Sequence, residues 1–480
     1  MKRDYIILSA GRVLQIFVAL AAMRLMTHLL SGSEVGNVYL VLSVTSYFSL
    51  VLLSPVGLYM TRRLNDWHKE RRLLDYFACY NLYVLAVSLS VFPVLYLVKK
   101  AFGIGTGMST LSLCLLAGGY IYAGTWNSTI IPALNMLHHR KSFVFFSTAT
   151  LLLSLAFSVS LVKASGATST MWISGQIFGL ITLAAASLYY FQHKVEYGVN
   201  FPGVWETIKN PGLQGITKFS FPLLVTTFFM WMQNQSYRLV LERNIGLDFL
   251  GRMAVGLGIA AAIAAAAESL IQQIYQPIYY AEINTQDVGA RKAAWDKMAG
   301  TIIPIYLLTT LFVSFLSWHI VTVLVDAKFH AVWVFTVFGA WVEFARITTN
   351  IFSNVAHSEM RTGPLAKPYV FGGVFTAGGV YLASLSAGYS FWVPVTLVLS
   401  GFVTLFFMIA GMRRILKLAI NFRAIKMAML LALPFPAGLL VRNNGGSIVI
   451  SFAVLLALGL YFMFAQYLLY RKAAAVREGA

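Results

Sequence analysis

Charge is scarce in this chain. Of its 480 residues only 11% are charged, with 17 acids against 36 Lys and Arg. A soluble globular protein carries about 25% charged residues. That shortage excludes a soluble multi-domain enzyme and a disordered chain. Cysteine is scarcer still. Cys79 and Cys114 both lie within apolar runs, with no CxxC or metal-ligand spacing, so a disulfide scaffold, redox chemistry and a zinc site have no support. Long polar stretches are missing too, leaving no room for a sizeable domain in water. What is abundant is hydrocarbon: 59% of residues are hydrophobic and the mean hydropathy is +0.73. A hydrocarbon core ~30 Å thick needs roughly 20 apolar residues per helical crossing. The chain therefore reads as an all-α polytopic membrane protein.

Apolar stretches bounded by charges, Gly and Pro predict spans at 5–30, 35–60, 74–98, 109–136, 142–163, 170–191, 217–241, 249–279, 298–325, 331–356, 368–386, 391–412, 427–441 and 446–470. These make about fourteen transmembrane helices, with twelve as the alternative if the last pair is absent or re-entrant. The thirteenth is the weakest, because Pro434 and Pro436 break its backbone hydrogen-bond ladder. The first run follows Met1-Lys2-Arg3. It is too long for a signal-peptide core and lacks a cleavage pattern, so it is expected to stay as a helix.

The net charge of +19 is spread over short connections, not gathered in one patch, which favours membrane orientation over nucleic-acid binding. Basic residues concentrate in alternate connections, as in Arg62-Arg63, Arg71-Arg72, Arg140-Lys141, Arg291-Lys292, Arg413-Arg414 and Arg471-Lys472. By the positive-inside rule both termini are expected in the cytoplasm. The outer connections are short, which argues against a polymerase or ligase with an outer catalytic domain. No paired carboxylates or nucleophile motif is seen, so the chain is expected not to be an enzyme and to need no cofactor or metal.

A Pro- and Gly-containing connection at 192–216 divides the chain. The expected organisation is a six-helix bundle at 1–191, the cytoplasmic linker 192–216, and a second six-helix bundle at 217–412. A basic amphipathic segment at 413–426 then leads to a terminal helix pair and cytoplasmic tail at 427–480. The first span of each half carries a similar pattern. Met23-Arg24-Leu25 is followed by Glu34-Val35-Gly36, and Tyr237-Arg238-Leu239 by Phe249-Leu250-Gly251. Parallel repeats about an axis along the membrane normal are a transporter plan.

Ionised side chains within spans are costly and tend to face a bundle interior or a watery cavity. Arg12, Arg24, Arg238, Arg252, Glu268, Glu343 and Arg346 are placed in this way. Arg12 is roughly 12 Å into the first span and Arg24 ~18 Å further. Cavity lining is the first reading for both, and snorkelling to the interface the second for Arg24. Arg252 suits an interface as well as a site. Trp231, Asn234 and Arg238 share one helical face, as do Glu268, Gln272 and Gln276. Trp126 and Asn127 add polar points to the fourth span. Such amides and indoles suit a glycan, and equally serve as glue between helices. Glu343 and Arg346 are spaced to pair within their helix. A glutamate that lost that partner in one conformation would take up a proton, so Glu268 and Glu343 are candidates for ion coupling. His319 is expected to be a satisfied buried histidine. Arginine in low dielectric makes sense where an anion completes it, and guanidinium binds phosphate by bidentate, charge-assisted bonds. The ligand implied is a large amphiphile with phosphate and sugar.

The opening pattern resembles a known family. Gly11-Arg12-Val13, Met23-Arg24-Leu25, Glu34-Val35-Gly36, Ser46-Tyr47-Phe48 and Pro55-Val56-Gly57-Leu58, ending at Arg62-Arg63, are similar to the start of the Wzx-type polysaccharide (O-antigen) flippases. These belong to the multidrug/oligosaccharidyl-lipid/polysaccharide (MOP) exporter superfamily. The resemblance implies a bacterial inner-membrane protein that moves undecaprenyl-diphosphate-linked oligosaccharide between leaflets. It also implies two six-helix bundles in a pseudo-two-fold V, a cationic lumen and coupling to H+ or Na+. The lumen role carries over to Arg12, Arg24, Arg238 and Arg346. Glycan contacts are expected at Trp126, Asn127, Trp231, Asn234 and Gln272. Membrane lipids, and a polymerase and chain-length regulator of the same pathway, are expected partners; nucleic acid is not. A lipid II flippase is the nearest alternative. A multidrug cation antiporter is less favoured, because it would want acids in place of the arginines.

Overall fold

The computed structural model describes residues 2–195, 197–200, 202, 204, 205, 212–285, 287–359, 361, 363–441 and 447–478. Among these it is all-helical. Eleven helices are long and apolar enough to cross a membrane, and the protein is a multi-pass membrane protein. The eleven coincide with eleven of the fourteen expected spans. The other three differ for local reasons. Thr110–Met136 is a full-length helix whose Gly, Asn and Thr residues dilute its hydropathy. Ala366–Ser384 is a shorter Gly-rich helix. The thirteenth is broken: Phe422–Leu431 ends, the chain turns through Ala432–Pro436, and a short helix Ala437–Leu440 follows. Pro434 and Pro436 remove the donors that would have continued it.

Packing divides the chain into two compact units, Met1–Gly251 and Arg252–Ala480. The expected 192–216 connection lies partly outside the described residues.

In the first unit the helices are α1 (Lys2–Leu29), α2 (Gly32–Tyr47), α3 (Ser54–Lys69), α4 (Leu73–Phe102), α5 (Thr110–Met136), α6 (Arg140–Ser165), α7 (Ser169–Val195), α8 (Gly212–Asn244) and the start of α9 (Leu247–Glu282). Helices α5, α6 and α7 pack together, α1 lies on α6, and α8 lies on α2 and α3. The last contact places α8 with the first unit. Glycines set the closest approaches. A Cβ on Gly175 or Gly179 of α7 would lie 2.3–2.4 Å from the backbone of Ser158 or Ser154 on α6. The Ser158 hydroxyl uses that closeness to donate to the Trp172 carbonyl at 2.8 Å. Small residues that let backbones touch are how helices associate where lipid supplies no hydrophobic drive.

The same device joins α2 to the start of α9. A Cβ on Gly36 would sit 2.1 Å from the Leu247 carbonyl oxygen, and one on Gly251 2.0 Å from that of Gly32. Each glycine thus meets the residue four places before the other. The contact is reciprocal and uses the glycines of the sequence repeat. Glu34 of the same motif reaches α7, where one carboxylate oxygen accepts from the Ser169 amide at 2.6 Å and hydroxyl at 2.5 Å. A carboxylate there satisfies an orphan helix N-terminal donor and complements the helix dipole.

Between α2 and α3 the chain does not break but widens into a π-turn, Phe48–Leu53. Pro55 explains it, since it cannot donate to an i−4 carbonyl and its ring would strike one. The Tyr83 hydroxyl donates to the Leu52 carbonyl at 2.9 Å, and that of Tyr80 to Leu53 at 3.5 Å.

The second unit contains the rest of α9, then α10 (Val288–Leu324), α11 (Trp333–Ser358), α12 (Ala366–Ser384), α13 (Tyr389–Arg413), α14 (Phe422–Leu431), α15 (Ala437–Leu440) and α16 (Ile448–Glu478). Helix α10 is its buried axis, touching α11, α14, α15 and α16. Arg291 at its start clasps Glu359, just past the end of α11, with Nε–O 2.7 Å and Nη2–O 3.0 Å. His319 is the buried, satisfied histidine expected. Its Nε2 donates to the Gly438 carbonyl at 2.9 Å, so Nδ1 is the acceptor, 3.1 Å from the Ser451 hydroxyl. One side chain thereby pins both α15 and α16 to α10. His319→Leu should orphan two buried polar groups at about 1–3 kcal/mol each. Thermal unfolding in detergent is expected to show a lower Tm, and limited proteolysis faster cleavage after residue 431. An unchanged Tm would mean the pin carries no load.

Candidate functional site

The first unit holds a cavity of about 790 Å³, built from α1, α3 to α7 and the π-turn. Arg12 lines it. Its Nη1 donates to Gln15 Oε1 at 3.3 Å, and Gln15 Nε2 donates to the Ser147 hydroxyl at 2.8 Å, so the guanidinium is held by a relay to α6. Among the described residues no Asp or Glu lines this cavity, and Arg12 is the cation in its wall. The wall is rich in hydroxyls, among them Ser49, Ser54, Thr61, Ser128, Thr129 and Thr150. Several spend their proton on their own helix: Thr61 on Gly57 (2.9 Å), Thr129 on Thr125 (2.8 Å), Thr150 on Phe146 (2.7 Å). A hydroxyl that donates in this way keeps its capacity to accept. A positive, acid-free, hydroxyl-lined cavity of this size suits an anion with polar substituents. Sequence reading found Arg12 but not these hydroxyls. In α5 the signal was present as Thr125, Ser128 and Thr129 beside Trp126 and Asn127, but a serine or threonine in a membrane helix bonds its own backbone so readily that residue type alone marks nothing.

The other expected residues of this unit sit elsewhere. Arg24 is half-buried on α1 and does not line the cavity. Arg238 lies among aromatic rings, 5.1 Å from the Tyr39 centroid and 5.6 Å from that of Tyr237. Its Nε donates to the Tyr237 hydroxyl at 3.2 Å and Nη1 to the Tyr39 carbonyl at 3.4 Å. Cation–π attraction offsets part of its desolvation. The Trp231 indole is buried, donates to the Ser43 carbonyl at 3.0 Å and meets Tyr47 edge-on at 4.9 Å. Asn234 donates to the Met230 carbonyl at 2.9 Å. Trp126 donates to Asn81 at 2.8 Å. Asn127 lines the cavity, yet its amide donates to the Ala123 and Leu180 carbonyls at 2.9 and 2.7 Å.

In the second unit Arg346 joins two acids. Nε donates to Glu343 at 2.7 Å along α11, and Nη2 to Glu268 of α9 at 3.0 Å. Asn350 and Gln272 both donate to the other Glu268 oxygen, at 3.3 and 3.2 Å. The carboxylates are largely buried and the guanidinium about one-third exposed. Two carboxylates on one guanidinium leave a formal charge of −1. Beside Glu343 is a space of about 20 Å³ lined by Tyr306, Thr309 and Thr310, large enough for one water. Among the described residues no cluster has the make-up of a metal site.

No family model and no curated protein matches the sequence. Solved structures do match in fold. A structure described as the lipid II flippase MurJ in an inward closed conformation aligns over 98% of this chain and 99% of its own, with TM-score 0.69 and 12% identity. The inward-facing form of a multidrug resistance MATE family transporter of the MOP superfamily aligns over 85% and 94%, with TM-score 0.53 and 13% identity. A MOP superfamily transporter from Pyrococcus furiosus aligns over 86% and 96%, with TM-score 0.52 and 12% identity. The fold is like that of these transporters. The Arg12 cavity belongs to the first unit and the Glu–Arg–Glu cluster to the second.

Proposed function

We propose that this chain is a flippase of the bacterial inner membrane. It carries an amphiphile with a phosphate-linked glycan headgroup, of the undecaprenyl-diphosphate-oligosaccharide class, by alternating access. The observation that supports this reading is the hydroxyl-lined cavity holding Arg12, in which no acid lines the wall among the described residues. A guanidinium binds a diphosphate by charge-assisted bonds, and the hydroxyl-rich wall can accept from the sugar. The bias of Lys and Arg toward alternate connections supports an orientation with both termini in the cytoplasm. The Glu268–Arg346–Glu343 cluster is the coupling element: with one excess negative charge it takes up one cation, H+ or Na+, at each turnover. Lipid II is the second reading, because it is also a diphosphate-linked glycolipid and the MurJ fold covers nearly the whole chain. A cation antiporter fits a cavity without acids poorly.

The test is reconstitution. Proteoliposomes carrying the wild type should move a fluorescent polyprenyl-diphosphate-linked oligosaccharide between leaflets, faster under an imposed ion gradient. Arg12→Ala should slow this at least tenfold, with unchanged protein level and Tm. Equal rates for wild type and variant would remove Arg12 from the path. Movement of lipid II alone would select the second reading.

A further inference from the structure

Helix α3 has two faces, and only one borders the cavity of Arg12. Ser54, Gly57, Leu58, Thr61 and Leu64 recur at helical spacing along that face. Pro55, Val56, Tyr59, Arg63 and Trp67 recur along the other and line a second cavity of about 600 Å³, closed by α4 and the start of α8. Met60 and Tyr80 form part of both linings, so the cavities are neighbours across one wall.

The second cavity is built differently. Tyr59, Trp67, Tyr76, Tyr80 and Tyr83 give it an aromatic wall. The rings brace one another: Trp67 and Tyr76 stack at 3.8 Å with planes 9° apart, and Tyr59 leans on Trp67 at 6.3 Å. Arg72 packs on Tyr76 at 5.6 Å. Such a wall is rigid before any ligand arrives, so little ordering entropy remains to be lost on binding. Exposed Arg63 and Glu70 stand at its rim, one a pure donor and the other a pure acceptor. Ser220, buried in the wall, has a hydroxyl with no hydrogen-bond partner among the described residues. A buried polar atom left this way asks for an explanation, and an unfilled ligand position is one.

We infer that this cavity binds a sugar ring of the headgroup, a site that rests on the proposed flippase function. A pyranose has two C–H faces, weakly positive, which suit the negative faces of aromatic rings. Its hydroxyls both donate and accept, so they can serve Glu70, Arg63 and Ser220 together. A hydrocarbon tail would match the rings but offer nothing to Glu70 and Ser220, or to Arg63 beyond its pairing with Asp66 at 3.5 Å. With Trp126, Trp231 and Asn234 spending their donors within the protein, the aromatic cavity is the better place for sugar recognition.

The experiment compares lipids on the full chain in a detergent without sugar. Undecaprenyl diphosphate is measured beside its glucose-, galactose- and N-acetylglucosamine-linked forms by native mass spectrometry. Wild type should bind at least one sugar form tenfold or more tighter than the bare lipid. Tyr59→Leu and Ser220→Ala should each cut that preference below threefold and leave the bare lipid's affinity unchanged. Arg12→Ala should weaken bare and sugar-bearing lipids alike. Cys79, which lines the cavity, gives a readout needing no variant. Its alkylation by a maleimide should be slowed by the preferred sugar lipid and not by the bare one. No preference for any of the three sugars, or a preference that survives both substitutions, overturns the site. So does equal weakening of all lipids by Tyr59→Leu, which would assign the cavity to the tail. If wild type binds none of these lipids, the flippase reading itself fails.

Discussion

Arg346→Leu is expected to remove most of the folded protein, and adding Glu268→Gln and Glu343→Gln to the same chain is expected to bring it back. The single change strands two largely buried carboxylates on the same spot. Breaking a buried ion pair from one side costs about 3–5 kcal/mol, because the remaining charge has no partner; replacing the whole group by neutral residues is often near neutral. Detergent-extracted yield and Tm read the effect directly. Single, double and triple variants form a cycle, and additive losses would mean the three side chains do not act as one group. Function should separate from folding in the triple variant. With no net charge left in the cluster, transport in proteoliposomes should continue down a lipid gradient and lose its dependence on the ion gradient.

Adding a single isopropyl group should be almost as damaging at the glycine crossing. Gly36→Val or Gly251→Val places a Cβ about 2 Å from a carbonyl oxygen of the facing helix. Neither neighbour is a side chain that can swing aside, so one helix must move. Overpacking of this kind costs about 1–3 kcal/mol and sometimes more, and backbone against Cβ belongs at the upper end. A Tm lower by several degrees is expected for each. Gly378→Val is the control, since nothing lies within 4 Å of a Cβ there. If all three melt alike, α2 and α9 do not cross this closely.

The helices were legible because lipid enforces one solution: a run of apolar residues must satisfy its own backbone, so hydropathy almost dictates helix. Proline punctuation was legible as well, and the break at Pro434 and Pro436 falls where two missing donors put it. Local charge spacing carried through to the Glu343–Arg346 pair. Its third member did not, because Glu268 is 78 residues away and nothing in the sequence names that neighbour. The polar residues of the spans are harder for the same reason. Trp126 and Trp231 carry one donor each, and the sequence cannot tell a donor aimed at a sugar from one aimed at Asn81 or Ser43. Glu34 and Gly36 stood out as a repeated motif. What they do, capping α7 and touching Leu247, required α7 and α9 to be in place. The aromatic residues of α3 and α4 were passed over because their spacing on either helix alone looks like ordinary packing.

The widened turn ahead of Pro55 holds one residue more than an α-helix needs. Passing that surplus along the chain would rotate everything between its old and new positions by roughly 100°, the angle of a single residue. On α3 such a rotation swaps which stripe, hydroxyl or aromatic, looks into which chamber. The latch on this spindle is two phenols, Tyr80 and Tyr83, each gripping one carbonyl.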